Sequence, residues 1–421
     1  MRATLGYSMI LLASGWLGGC ADAGGSGAVD ADAVPRLVAR EELRIGSVDD
    51  PDAGFSAVSM VDVDADGQIY AFEAQEVEIR VFSPDGGLVR RIGRKGEGPG
   101  EFERIQSFGV ARDTIWTADA GLRRLTLFSR DGVVLSTGPL PEVRIPLHGN
   151  QTGHVRPVLL RADGLLASDM TTFSGARGVT TDVGATDTVQ VPRVLFNVSG
   201  QVVDTVGFEL RAPPEPGSID WVEFGGARFR KPTPPSGRPL SVTTADGRIW
   251  VDRAPPTAGS AAVFTMTRLD YARDTVYRRE FTYRPARYSD AYLDTIAWRS
   301  ARIPGGGYAI VGGLPQIPPM GSDSIERFRA VRASMSFPEF QPPIQGHYLA
   351  NDGALWLRRE DDGGPVYRWL VLDDEGRARG QVELPRRARP GWSRGDLLVT
   401  IEQDAFDVPW LVRYRIQRPR A

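Results

Sequence analysis

The chain has 421 residues, of which 48 are Gly and 31 are Pro, well above the share of about 12% that these two types take in an average globular protein. With 41% hydrophobic residues and nine Trp it can still bury a sizeable core, which excludes a disordered or collagen-like polymer. A single Cys excludes an internal disulfide, and 50 Lys and Arg against 53 Asp and Glu give a net charge of −3, which excludes a polycation built for nucleic acid.

The first residues read Met1-Arg2, an apolar run from Thr4 to Leu17, then Gly18-Gly19-Cys20. The run is shorter than the ~20 residues that span a bilayer as a helix, so residues 1–19 read as a cleaved signal peptide. Leu17-Gly18-Gly19-Cys20 resembles a bacterial lipobox. The resemblance implies lipidation of Cys20, a membrane contact through that lipid anchor, and a place in the bacterial cell envelope. Ala21 rather than Asp at the second mature position implies the outer membrane. Residues 20–35, poor in large apolar side chains, read as a flexible tether.

From residue 36 onward short apolar runs alternate with Gly and Asp turns, and aligning them exposes a repeat. A turn followed by a short strand recurs at Ile69-Tyr70-Ala71-Phe72, Ile115-Trp116-Thr117-Ala118, Leu165-Leu166-Ala167-Ser168, Ile249-Trp250-Val251-Asp252, Leu355-Trp356-Leu357-Arg358 and Leu397-Leu398-Val399-Thr400. Each copy but the last is followed by a further strand and turn, as at Val81-Phe82-Ser83-Pro84-Asp85-Gly86. Six self-similar four-strand units spell an all-β, six-bladed β-propeller over residues 36–421. Val89-Arg90-Arg91-Ile92-Gly93 ends the first unit, and the same Ile-Gly ending stands at Leu43-Arg44-Ile45-Gly46, before any unit begins. The last unit lacks a fourth strand, so residues 37–46 are expected to supply it and close the ring.

Helical periodicity occurs in one stretch, the connection from unit four to unit five at residues 284–343. Tyr292, Leu293, Ile296 and Ala297 follow a Ser289-Asp290 cap, and Ile325, Phe328 and Val331 follow Ser322-Asp323. This predicts a helical flap over one mouth of the central channel, carrying Arg299, Arg302, Arg327, Arg329 and Arg332. Residues 169–193 expand a loop expected on the same face.

The linker Ile92-Gly93-Arg94-Lys95-Gly96-Glu97-Gly98-Pro99-Gly100-Glu101-Phe102 is similar to the inter-blade signature of NHL-repeat propellers, and residues 37–418 resemble bacterial six-bladed propeller lipoproteins of TolB-like fold. The linker is no phosphate cradle, because a strand rather than a helix follows it. Gly391-Trp392-Ser393-Arg394-Gly395 matches a nucleophile elbow, but no His lies downstream to complete a triad. Asp62-Val63-Asp64-Ala65-Asp66-Gly67 with Glu73 matches the EF-hand loop expression, yet strands flank it, so solvated turn carboxylates are the first expectation and a structural Ca²⁺ stays open.

In a propeller the innermost strand of each blade lines the channel. Candidate ligand-binding residues at the starts of those strands are Arg104, Gln106, His154, Arg156, Gln345 and His347. The third histidine, His148, falls in a connecting loop. No catalytic constellation emerges, so the chain reads as a monomeric, cofactor-free binding or scaffold module for a peptide, glycan or protein partner. Related propellers include lactonases with a channel Ca²⁺ and lyases with a His-bound Zn²⁺, and a metal-dependent enzyme with a site at the channel mouth stays open as the alternative.

Overall fold

The computed structural model describes residues 27–419 apart from 51–53, 145–151, 162, 174–188, 212–220, 225–226, 233, 236, 258, 302–308, 312–313, 317–323 and 361–362. Cys20, Ala21, His148, Arg302 and the Ser322-Asp323 cap therefore lie outside the described residues.

The chain folds into a six-bladed β-propeller. Blade one is the meander Val58–Val63, Ile69–Glu73, Glu78–Phe82 and Leu88–Ile92. Blade two repeats it at Ile105–Ala111, Thr114–Asp119, Arg124–Ser129 and Val134–Pro139. Blade three runs Thr152–Leu160, Leu166–Phe173, Val189–Phe196 and Val202–Arg211, with an extra short strand, Glu142–Arg144, on the inner edge. Blade four is Leu240–Thr244, Gly247–Asp252, Val263–Asp270 and Thr275–Thr282, and blade five is Ile344–Leu349, Leu355–Arg359, Val366–Leu372 and Ala378–Pro385. Blade six contributes Arg389–Arg394, Leu397–Gln403 and Pro409–Gln417.

The fourth strand of blade six is N-terminal. Arg36–Ile45 pairs antiparallel with Pro409–Gln417, from Val38 opposite Gln417 to Ile45 opposite Leu411, as the orphan Ile-Gly ending predicts. The N-terminal segment does more than a tether over 20–35 would. Val29–Asp30 pairs parallel with Phe281 and Thr282 of blade four, and Arg36 and Leu37 pair parallel with Gln381 and Val382 of blade five. Between them Ala31 is fully buried, and Asp32 bonds the buried Arg359 at 3.1 Å and the backbone N–H of Arg284 at 2.7 Å. The ordered strap thus begins before residue 36 and crosses three blades in turn. Small and acidic residues look like linker in sequence, and their burial is decided only by what they pass over.

The middle strands explain the run-like hydrophobicity of the repeat. Ile69–Glu73 is buried at all five positions, whereas the outermost strand of blade two alternates half-buried and exposed. A middle strand is covered on both faces by neighbouring blades, so both sets of alternating side chains become apolar. The core is accordingly a ring of seams. Tyr70, Phe72 and Ile79 of blade one pack on Ile105, Phe108 and Phe128 of blade two, and equivalent clusters join blades two to three, four to five, five to six and six to one. Blades three and four are joined by polar contacts among the described residues. Arg193 donates to the Ser241 hydroxyl at 3.3 Å, and Arg161 donates to the Ala245 carbonyl at 2.8 Å and lies 5.5 Å from the Tyr271 ring.

The predicted flap contains two helices, α1 (Asp290–Ala301) and α2 (Ser324–Ser334), with a two-stranded pair, Ala309–Val311 and Leu314–Gln316, between them. Ser289 caps α1, its hydroxyl accepting the N–H of Tyr292 at 3.2 Å.

Candidate functional site

Topology puts two decorations on the face where inner strands begin. The flap joins the end of blade four to the start of blade five, and a hairpin of Trp221–Phe224 with Ala227–Arg230, not anticipated from sequence, joins blade three to blade four. The two meet: Ala297, Ala301 and Val331 of the helices are buried together, with Phe224 of the hairpin, Phe328 and Met335 against them. Trp298 stacks on Phe328 with ring centres 4.4 Å apart, and Arg332 ties Asp290 and Asp294 at 3.0 and 2.9 Å. A small second core therefore sits on this face. The arginine charge expected there is partly spent on the helices themselves, since Arg332 is neutralised, while Arg299 and Arg329 are exposed.

The six candidate residues divide between several places. Gln106 is half-buried at the seam of blades two and three, where its amide donates to the Val155 carbonyl at 3.3 Å, next to the half-buried Arg156. Gln345 instead donates at 2.6 Å to the side chain of the buried Gln341, which in turn pins the foot of the flap by donating to the Arg287 carbonyl at 3.2 Å. His347 is exposed on the inner strand of blade five. His154 lies on the inner strand of blade three opposite Glu142. Arg104 departs furthest from the expectation, sharing a depression of about 520 Å³ with Lys95, Glu103, Ala120, Gly121 and Arg123 above the seam of blades one and two.

Buried carboxylates fix this face. Asp119, at the end of the second strand of blade two, accepts N–H bonds from Glu103 (2.7 Å), Arg104 (3.1 Å), Gly121 (2.8 Å) and Leu122 (3.0 Å). Glu73 does the same in blade one for Ser56 (3.0 Å) and Ala57 (2.7 Å). Each acid clamps the chain entering the inner strand, and hydrogen bonds from several N–H groups compensate its burial.

The EF-hand-like carboxylates diverge. Glu73 is the clamp just described, and Asp62 points across the blade seam, accepting from Val110 N–H at 2.7 Å and the Asn351 amide at 3.3 Å. Asp64 and Asp66 both bind the Arg130 guanidinium of blade two, so a cation already occupies the turn. Burial raises the Asp62 carboxyl to about 6 despite those hydrogen bonds. Asp62 and the nearby Tyr348, whose hydroxyl burial also pushes up, belong to the far end of the inner strands from the decorated face. Among the described residues the metal-ligand spacing picks out Asp373, Asp374 and Glu375, a turn in which Arg377 pairs with Asp373 at 2.8 Å and Glu375 at 2.7 Å.

A family model described as a 6-bladed beta-propeller, DUF5128, matches residues 52–145, which cover blades one and two. No curated protein matches the chain. Among solved structures, an exported protein of Bacteroides fragilis is similar at 14% identity and a TM-score of 0.43, over 93% of this chain and 98% of that one. A DUF4221 family member from Bacteroides vulgatus gives 12% and 0.44, over 91% and 98%. Virginiamycin B lyase from Staphylococcus aureus gives 10% and 0.37, over 88% and 98%. These likenesses are likenesses of fold.

No helix among the described residues is long and apolar enough to cross a membrane.

Proposed function

We propose that this protein is a lipid-anchored lipoprotein of the bacterial envelope, held by Cys20 in the outer membrane, whose NHL- and TolB-like propeller binds a peptide, glycan or protein partner on its decorated face. The observation that carries the reading is the second core. Loops that merely connect blades need no hydrophobic cluster of their own, yet the hairpin and both helices bury Ala297, Ala301 and Val331 together above the blades. A packed platform of that kind holds a fixed shape at the surface, which is what recognition of a partner requires. The buried acids at the ends of the second strands support binding over chemistry: Asp119, Glu73 and Glu360 are each engaged in structural hydrogen bonds or ion pairs.

The test is cross-linking and pull-down from native envelopes, with the full chain and with residues 288–337 replaced by a short Gly-Ser linker. Partners captured by the full chain and lost with the flap support the reading. Equal capture by both proteins overturns the assignment to this face. Intact-mass analysis of the mature protein tests the anchor separately: an acyl mass on a chain beginning at Cys20 is expected, and a soluble, unacylated chain refutes it.

A further inference from the structure

The depression holding Arg104 has a charge balance unlike that of the other basic sites on blades one and two. On those blades Arg90 pairs with Asp131 at 2.7 Å, Arg94 with Glu101 at 2.7 Å, and Arg130 with Asp64 and Asp66. Around the depression Lys95, Arg104 and Arg123 are exposed, and none of their side chains has a partner among the described residues. Glu103 is the one acid on its wall. The rim therefore carries an excess of two positive charges in a space of about 520 Å³.

Its walls are preorganised. Asp119 holds the backbone of Glu103 and Arg104 on one side and of Gly121 and Leu122 on the other, so both walls hang from one buried carboxylate. A Cβ at position 121 would stand 2.6 Å from the Glu103 carboxylate, so only glycine leaves that approach open. Lys95 is tied to Phe102 by an isolated parallel bridge, and Arg123 stands in the left-handed region, with φ at 52°, in the turn between the second and third strands of blade two.

Blade one provides an internal control. Its linker and hairpin superpose in sequence on those of blade two: Ile45-Gly46 on Ile92-Gly93, Phe55 on Phe102, Glu73 on Asp119, and the left-handed Val77 (φ 59°) on Arg123. In that alignment Lys95, Arg104 and Arg123 correspond to Val48, Ala57 and Val77. Three positions far apart in sequence all change from aliphatic to cationic, and all three line one depression. Solubility alone would scatter such charges.

We propose that Lys95, Arg104 and Arg123 form a subsite for a doubly charged oxyanion, with a phosphate monoester as its ligand class. Two guanidinium groups offer forked donors to oxyanions and the ammonium adds a point charge, while the excess of two positive charges matches a phosphate dianion. Glu103 is placed to accept a hydrogen bond from a hydroxyl beside the phosphate. The subsite rests on the propeller fold and not on the envelope reading, so loss of the pull-down result leaves it standing.

The test is titration of the full mature domain with inorganic phosphate in low-salt buffer, read by amide NMR shifts of residues 103–104 and 120–123, with succinate as the carboxylate arm. Saturable shifts are expected, weakening as salt rises. The triple variant Lys95→Val, Arg104→Ala, Arg123→Val carries blade one's side chains on the same backbone and should bind roughly tenfold more weakly or not at all. Glu103→Gln removes the opposing charge and should bind more tightly, a gain that misfolding cannot imitate. Absence of saturation, or equal binding by the triple variant, overturns the subsite. Tighter binding of succinate than of phosphate overturns the ligand class.

Discussion

Blades one and two are built on one template and finished differently. Both clamp the incoming chain with a buried acid, Glu73 or Asp119, and both turn their second hairpin through a left-handed residue, Val77 or Arg123. In blade one that residue is buried in the seam with blade two, whereas in blade two it is exposed beside Lys95 and Arg104. The difference teaches where the template is structural and where it is free. Positions that bury a carboxylate stay constant in chemistry, and exposed positions beside them differ in charge between the two blades.

The ring closes in blade six, which packs against blade one, so the largest effect is expected from the strap. Deleting residues 27–46 strips the outer strand from blade six and removes Ala31 and Ile45 from two seams. The thermal midpoint should fall by more than roughly 10 °C, at about 2–4 °C per kcal/mol for domains of 150–250 residues, relative to a chain starting at residue 27. An unchanged midpoint would show that the two blades do not depend on closure.

Next come the clamps. Asp119→Ala leaves four N–H groups without their acceptor and should cost about 2–4 kcal/mol in urea unfolding, with Glu73→Ala comparable. Asp119→Asn, which keeps one carbonyl oxygen, should recover part of the loss. If Glu73→Ala proves silent while Asp119→Ala does not, the two blades do not share a template.

Asp62 joins blade one to blade two and gives a pH signature. Its carboxyl sits at about 6 in the fold against an ordinary value of about 3.9 in the unfolded chain, so the folded state holds the proton more firmly. The stability this group contributes is full below about pH 4 and is lost as pH rises through about 6, amounting to roughly 3 kcal/mol. Unfolding free energies measured from pH 4 to 7 should therefore show a descending component that Asp62→Asn removes. Curves that remain parallel for the two proteins would exclude the carboxyl as its source.

The smallest effect tests the freedom of the decorated face. Arg123→Gln, which leaves the left-handed backbone as tolerable as it was, should change stability by no more than about 0.5 kcal/mol, while Val77→Arg forces a guanidinium into a packed seam and should cost about 1–3 kcal/mol. Equal costs would erase the distinction between the two hairpins.

Much of this was legible in the sequence because repetition amplifies weak local signals. One turn before one strand means little, but six copies, four of them opened by Asp-Gly, with a matching orphan ending specify a propeller and the way it closes. The helices of the flap were legible too, from their apolar period and from Ser289 as a cap. The candidate site was legible only in part. Counting strand starts placed Gln106, Arg156, Gln345 and His347 on inner strands, but it could not foresee that Gln345 serves the flap or that Arg104 turns towards Lys95 and Arg123. The sequence does carry one signal of the depression, the replacement of Val48, Ala57 and Val77 by three cations between two aligned repeats.

What the sequence determined by itself was the unit, its number and its closure, since turn chemistry and two-sided burial of the middle strands are local properties repeated along the chain. What the tertiary structure decided was which groups meet across blades. Ala31 became core because blades four and five pass beneath it, Asp64 and Asp66 meet the Arg130 guanidinium because it lies in the adjacent turn, and the hairpin at 221–230 became part of a platform because two helices arrive from the next connection. Such meetings depend on distances between segments tens to hundreds of residues apart, which no local pattern encodes.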